Sequence, residues 1–225
     1  MGNRNNCGKF KLLTPGSMKK AERDVMSFSG LAESEYEIKK VLVDEEQNHY
    51  MTTIVAGDPT KQTLVLVHGY GGSGTLFYKV IKGLTENFYV IVIDLIGMGS
   101  SSRPKWSITD GDEADNYFMT ILENWRVEMG NLTDFILAAH SYGGYLSGTY
   151  ASKHPEHIKK LVLLSPLGLK LRPDNFDFKN IRFQAGRGPP AFLRVTAKTL
   201  WGKVSPFSIM RMLSERRCRK FLQGY

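Results

Sequence analysis

Ser141 lies in the run Ala139-His140-Ser141-Tyr142-Gly143-Gly144, directly after an apolar segment and directly before residues suited to opening a helix. A serine on a sharp strand-to-helix turn holds its hydroxyl clear of the backbone, and such a turn accepts only small residues two positions to either side. Ala139 and Gly143 occupy those positions, alanine standing where glycine is usual. Ser141 is therefore the candidate nucleophile, its chemistry being attack by the hydroxyl oxygen on an acyl carbonyl.

A second glycine-rich turn, His68-Gly69-Tyr70-Gly71-Gly72, follows another apolar run. Glycines let a backbone approach a substrate oxygen, and unpaired amides there can donate to a developing oxyanion. The amides of Tyr70 and Tyr142 are the expected donors, with Gly71 shaping the loop. The alternative is a glycine-rich turn without catalytic duty. His68 is expected to brace this loop rather than act as a base. Asp94, which opens Asp94-Leu95-Ile96-Gly97-Met98-Gly99-Ser100-Ser101-Ser102, is expected to brace its own tight turn by accepting backbone amides. His140, His154 and His157 lack Cys or carboxylate partners at metal-ligand spacing, so neither metal nor cofactor is expected.

These turns need strands to carry them. Residues 36–43 and 49–55 suggest a strand pair about the polar turn 44–48. The runs 63–67, 88–93, 135–139 and 158–164 lack regular polar alternation, which points to strands buried on both faces of a parallel sheet. Intervening segments near 74–86, 113–130 and 142–154 suit crossover helices. The pattern β-β-β-α-β-α-β-α-β predicts a three-layer α/β sandwich with a mostly parallel sheet. After Pro166 come breakers such as Gly186-Arg187-Gly188-Pro189-Pro190 and stretches of Phe, Leu, Trp and Met mixed with Arg and Lys. Residues 169–225 therefore suggest a helical cap, residues 31–168 the core, and residues 1–30 a basic, disordered tail.

A chain of 225 residues that is 42% hydrophobic can build a core, which excludes disordered, collagen-like and coiled-coil classes. No apolar run approaches the roughly 18 residues of a spanning helix. Two cysteines, Cys7 and Cys218, exclude a disulfide framework and fit a reducing compartment. The net charge of +8 is unevenly placed: residues 1–20 carry +5, residues 21–169 carry −7 and residues 170–225 carry +10. Basic ends are attracted to anionic surfaces. Without a nucleic-acid signature, an anionic membrane or lipid surface is the expected partner and nucleic acid is not; solvated charge with no partner is the other option. The opening Met1-Gly2-Asn3-Arg4-Asn5-Asn6-Cys7 carries an incomplete acylation pattern. Myristate on Gly2 and palmitate on Cys7 would together anchor the chain, the alternative being an ordinary tail.

In order along the chain, strand-HGYGG, strand-DLIGMGSSSRP, strand-AHSYGG and strand-LLSPLGL resemble the α/β-hydrolase superfamily. Ser101-Ser102-Arg103-Pro104, Glu123-Asn124-Trp125-Arg126, His140-Ser141-Tyr142-Gly143-Gly144-Tyr145 and Leu169-Lys170-Leu171-Arg172-Pro173 resemble its abhydrolase-domain four/five subfamily. That resemblance implies a cytoplasmic protein at a membrane or lipid droplet, acting on a lipid or phospholipid ester with Ser141 as nucleophile. It also implies two alternatives: a non-catalytic adaptor that regulates a partner lipase, and a lysophosphatidic acid acyltransferase. The superfamily places its acid and then its histidine after the nucleophile, on later strands. Here six strands are expected rather than eight, the last histidine is His157, and the subfamily's His-x4-Asp acyltransferase motif has no match. The expectation is a hydrolase fold cut short after the sixth strand with a partial cap, the competing explanation being a complete chain that cannot perform triad hydrolysis.

Overall fold

The computed structural model describes residues 15–168. The expected cap over 169–225, the acylation pattern at Gly2 and Cys7 and the first part of the basic tail lie outside the described residues. Within them, six strands form one sheet: β1 (Tyr36–Asp44), β2 (His49–Ala56), β3 (Gln62–Val67), β4 (Phe88–Ile93), β5 (Phe135–His140) and β6 (Ile158–Leu164). Their spatial order is β1-β2-β4-β3-β5-β6. β1 pairs antiparallel with β2, and β2 with β4, whereas β4, β3, β5 and β6 run parallel. The strand positions agree with the apolar runs to within a residue or so at each end.

The helices are α1 (Pro15–Met26), α2 (Tyr78–Thr85), α3 (Gly111–Glu128) and α4 (Tyr142–Lys153). The helix expected over 74–86 begins as a 3-10 turn, Gly74–Phe77, before α2. α1 lies inside the segment expected to be a disordered tail, and is a difference from that expectation. Its partly or fully buried residues, Met18, Glu22, Val25 and Met26, recur at three- and four-residue spacing along one face. Proline at its first position suits a helix start. Charged residues around that narrow stripe hide it in the sequence.

Alternation along the central strands divides the core between the two faces of the sheet. Val65, Val67, Ile91 and Ile93 pack in one cluster with Phe118, Leu122 and Trp125 of α3 and Leu146 and Tyr150 of α4. Leu64, Leu66, Val90 and Val92 pack in another with Met26 of α1 and Ile81 of α2. Because both faces are covered, these strands read as unbroken apolar runs rather than alternating ones.

α3 starts on Asp110, whose carboxylate accepts the Glu113 amide at 3.0 Å, an N-cap that satisfies one orphan donor. Near its end, four consecutive residues fasten it. The Asn124 side chain donates to the Val43 carbonyl at 2.8 Å, and the Trp125 indole donates to the Thr53 hydroxyl at 3.0 Å. Arg126 donates through Nε and Nη2 to the two oxygens of Glu123 at 2.9 and 2.7 Å and through Nη1 to the Leu132 carbonyl at 3.1 Å. The Tyr150 hydroxyl of α4 donates to the same Glu123 carboxylate at 2.5 Å. Bidentate charge-assisted bonding with Arg126 pulls the Glu123 pKa down from 4.5 to about 2, against the desolvation that raises it.

Ionised Glu123 thus stabilises the fold at every pH above about 4.5, and that contribution drains away as pH falls toward 2. Glu123→Gln is expected to lower stability at neutral pH by about 3 kcal/mol, because it leaves the buried Arg126 guanidinium without its charge partner. Denaturant titrations between pH 7 and pH 2 check both statements: the variant should show a flatter acid limb than the parent.

Candidate active site

Ser141 joins β5 to α4 with φ 54° and ψ −118°. A non-glycine residue in this left-handed region is strained by about 1–3 kcal/mol and persists only where its surroundings impose it. Here the imposition is explicit. The Ser141 amide donates to the Leu164 carbonyl at 3.0 Å, and the Ser141 carbonyl accepts the Tyr145 amide at 3.2 Å and the Leu167 amide at 3.0 Å. The end of β6 and the loop after it thereby clamp the turn.

Missing Cβ atoms let three loops converge on it. A Cβ at Gly143 would lie 2.2 Å from the His68 carbonyl oxygen, one at Gly69 would lie 3.0 Å from Ser141 Cβ, and one at Gly144 would lie 2.7 Å from Pro166 Cβ. The second glycine of the Gly143-Gly144 pair therefore has its own role, which the expected pattern of small flanking residues does not contain.

The expected oxyanion residues gather at the same place. The Tyr70 ring meets the Tyr142 ring edge-on, with centroids 6.2 Å apart. Tyr142 is the first residue of α4, so its amide has no acceptor within the helix. Gly71 takes φ 69°, and its amide faces the Met98 sulfur at 3.4 Å. That left-handed backbone suits a glycine in the turn.

His68 and Asp94 are braces. His68 is 1% exposed; Nδ1 contacts the Gly69 carbonyl at 2.7 Å and Nε2 accepts the Leu95 amide at 3.0 Å. Because Nε2 must accept, the proton sits on Nδ1, and burial holds the pKa below its ordinary value. The ring is a neutral crosslink between the loops after β3 and β4. Asp94 accepts the Gly74 amide at 2.5 Å and the Ser100 amide at 2.7 Å. Burial raises its pKa, while those two amides and Arg103 oppose the rise. A Cβ at Gly99 would overlap the Asp94 carboxylate, so Asp94 is committed to its turn.

Aromatic side chains that the sequence leaves unassembled form a wall next to Ser141. Tyr142 meets Phe118 edge-on at 6.0 Å, and Phe118 contacts Trp106 at 5.9 Å. Tyr145 stacks on Tyr142 at 6.1 Å and donates its hydroxyl to Asp115. The Tyr142 pKa is pushed up to about 12, chiefly by burial, and that of Tyr145 to about 12, chiefly by the Asp115 hydrogen bond. Both rings are neutral and largely apolar at physiological pH. Trp106 and Tyr70 remain 53% and 57% exposed, giving this wall an open rim. Helical spacing in α3 could signal Phe118, but nothing local signals that it faces Tyr142.

Among the described residues, no histidine or carboxylate hydrogen-bonds the Ser141 hydroxyl. His154 and His157 lie at the other end of α4, where packing supplies carboxylate neighbours that their spacing along the chain does not reveal. His157 Nε2 lies 3.9 Å from Glu123 and 3.4 Å from Glu156, and His154 Nδ1 lies 3.6 Å from Glu156. Glu123 is 31 residues from His154 in the chain and reaches it only through packing of α3 on α4.

Gly143→Ala is expected to destabilise the protein by about 2–3 kcal/mol, because the new methyl group meets backbone that cannot swing aside. Gly148→Ala, on the same helix with open space around its Cβ position, is expected to be neutral or stabilising by up to about 1 kcal/mol. Thermal denaturation of the pair checks the close approach.

A family model described as the alpha/beta hydrolase fold matches residues 62–199. The chain is 35% identical over 167 residues to human "(Lyso)-N-acylphosphatidylethanolamine lipase", covering 74% of this chain and 46% of that protein. It is 36% identical over 141 residues to a "Probable 1-acylglycerol-3-phosphate O-acyltransferase" of Oryza sativa subsp. japonica, covering 63% and 34%. Human "1-acylglycerol-3-phosphate O-acyltransferase ABHD5" is 39% identical over 117 residues, covering 52% and 33%. The chain thus spans between a third and a half of the length of these relatives. Among solved structures, a membrane phospholipase A superposes with TM-score 0.57 at 25% identity, covering 69% of this chain and 46% of that one. With the six-stranded order, the strained serine turn and these matches together, the chain belongs to the α/β-hydrolase fold family, and its relatives are those expected from the abhydrolase four/five resemblance.

Proposed function

We propose that Ser141 is the nucleophile of a carboxylic ester hydrolase acting on a phospholipid or lysophospholipid. The observation that carries this is the Ser141 backbone itself, held at φ 54° between a strand and a helix. Strain of this kind is maintained where a side chain must be presented in one orientation. The aromatic wall from Tyr142 to Trp106 supports an apolar acyl chain beside it, and relatives named for lysophospholipid and phospholipid chemistry support the substrate class.

Ser141 Oγ attacks the acyl carbonyl, and the Tyr70 and Tyr142 amides receive the oxyanion of the tetrahedral intermediate. Collapse expels the alcohol and leaves an acyl-serine, which water then hydrolyses. Both steps need a base to take the serine proton and later the water proton. All five histidines lie at or before His157 and none is hydrogen-bonded to Ser141, so in this reading none of these five is the base. Acyl transfer uses the same acyl-serine with a lysophospholipid hydroxyl in place of water, a variant supported by the names of two relatives.

A second reading is favoured by the absence, among the described residues, of a base hydrogen-bonded to Ser141: a non-catalytic adaptor at a membrane or lipid droplet that regulates a partner lipase. Among the described residues no helix is long and apolar enough to cross a membrane. In either reading the basic ends and acyl groups on Gly2 and Cys7 carry the attachment to a lipid surface.

A serine-directed fluorophosphonate is expected to label the natural full-length product at Ser141, and Ser141→Ala to abolish that labelling. Absence of label in folded protein, together with a changed rate of a partner lipase, would select the adaptor. Binding to vesicles containing anionic phospholipid is expected to weaken steeply with added salt, because the +10 of residues 170–225 acts through a screened field. Salt-insensitive binding would remove the electrostatic contribution.

A further inference from the structure

Away from the Ser141 turn, Glu123, His154 and His157 each offer one ligand-type atom within 4.8 Å of the other two. They come from three places: Glu123 from α3, His154 from the residue that ends α4, and His157 from the turn just before β6. We propose that these three side chains form a site for a divalent ion of the zinc class that ties α3 to the corner between α4 and β6.

The donor chemistry selects the ion. Two imidazoles and one carboxylate, with water as the fourth ligand, suit zinc in four-coordinate geometry, whereas calcium and magnesium prefer six or more oxygens. His157 Nε2 lies 3.9 Å from Glu123 Oε1, and the three donor atoms all lie within 4.8 Å of one another. The 3.9 Å separation is long for a direct hydrogen bond. It is a few tenths of an ångström wider than the spacing of neighbouring ligands around a tetrahedral zinc, about 3.3 Å for bonds of about 2.0–2.1 Å, a gap that side-chain rotation closes when an ion binds.

Glu123 is prepared for the role. An ionised carboxylate offers four lone-pair directions. Arg126 and Tyr150 occupy both on Oε2, and Arg126 occupies one on Oε1, which leaves one Oε1 direction open. Oε1 is the oxygen nearest His157 Nε2. Partners that fix a ligand's orientation and charge are what a metal site requires around its donors. The Arg126 charge also weakens attraction for a cation, so micromolar rather than nanomolar affinity is expected. The imidazoles of His154 and His157 are nearly parallel, 11° between planes with centroids 5.9 Å apart, and His157 Nδ1 is buried without a hydrogen-bond partner, so Nε2 is the nitrogen that faces the carboxylates.

The site lies one length of α4 from Ser141, about 18 Å for 12 residues. Its ion therefore acts on stability and not on acyl chemistry, and its test is independent of the proposed hydrolase.

The experiment uses untagged, metal-free full chain in which Cys7→Ser and Cys218→Ser remove competing thiols. Calorimetric titration with Zn2+ at neutral pH is expected to give one ion per chain and a higher melting temperature at saturation. His154→Gln and His157→Gln should each weaken binding at least tenfold and remove the thermal shift, while His49→Gln should leave both intact. Co2+ in place of zinc should show the visible bands of a tetrahedral site. That spectrum decides the matter for the parent chain even if a histidine variant folds poorly. The proposal is overturned by absence of stoichiometric binding, by undiminished affinity in the His154→Gln/His157→Gln double variant, or by a Co2+ spectrum without tetrahedral character.

Discussion

Everything around the candidate site rests on a short-range contact: the backbone of Gly143 lying against the carbonyl of His68, closer than any Cβ would permit. That contact brings the start of α4 onto the loop after β3. It sets Tyr142 against Tyr70 and leaves Ser141 in a conformation worth about 1–3 kcal/mol of strain. The strain is offset by the hydrogen bonds that the Ser141 peptide groups make to Leu164, Tyr145 and Leu167. Three parallel strands, β3, β5 and β6, therefore cooperate to hold one serine, and their register is what makes the approach possible.

Two carboxylates show how surroundings assign work to one chemical group. Asp94 is buried beneath its own turn and held by neutral amides; desolvation dominates and its pKa rises. Glu123 meets a guanidinium in bidentate geometry, and its pKa falls to about 2. Asp94 stiffens the loop beside the nucleophile, and Glu123 joins α3 to α4. Neither hydrogen-bonds the Ser141 hydroxyl; the bonds of Asp94 go to the amides of its own turn and those of Glu123 to Arg126 and Tyr150.

Much of this was legible in the residues. The central strands β3, β4 and β5 stand out because strands covered on both faces carry long apolar runs. The turns at His68, Asp94 and Ser141 stand out because glycine and small polar residues cluster where a chain must bend sharply. The bracing roles of His68 and Asp94 also follow from their place at strand ends. α1 was hidden because its buried face, Met18, Glu22, Val25 and Met26, is narrow and includes a glutamate. The aromatic wall was hidden because Trp106, Phe118 and Tyr142 come from a loop, α3 and α4, and ring contacts among them follow no sequence period.

What the amino-acid sequence determined by itself is local: periodicity that makes strands and helices, glycines that permit turns, and a serine in the one turn that suits a nucleophile. These depend on each residue's own backbone preferences and on neighbours a few positions away. Tertiary structure alone decided which side chains meet. It brought Glu123 to His154 and His157, closed the aromatic wall beside Ser141, and left that serine without an imidazole among the described residues. Such encounters depend on sheet order and helix packing, where residues tens of positions apart come within a few ångströms, and no local spacing encodes that distance.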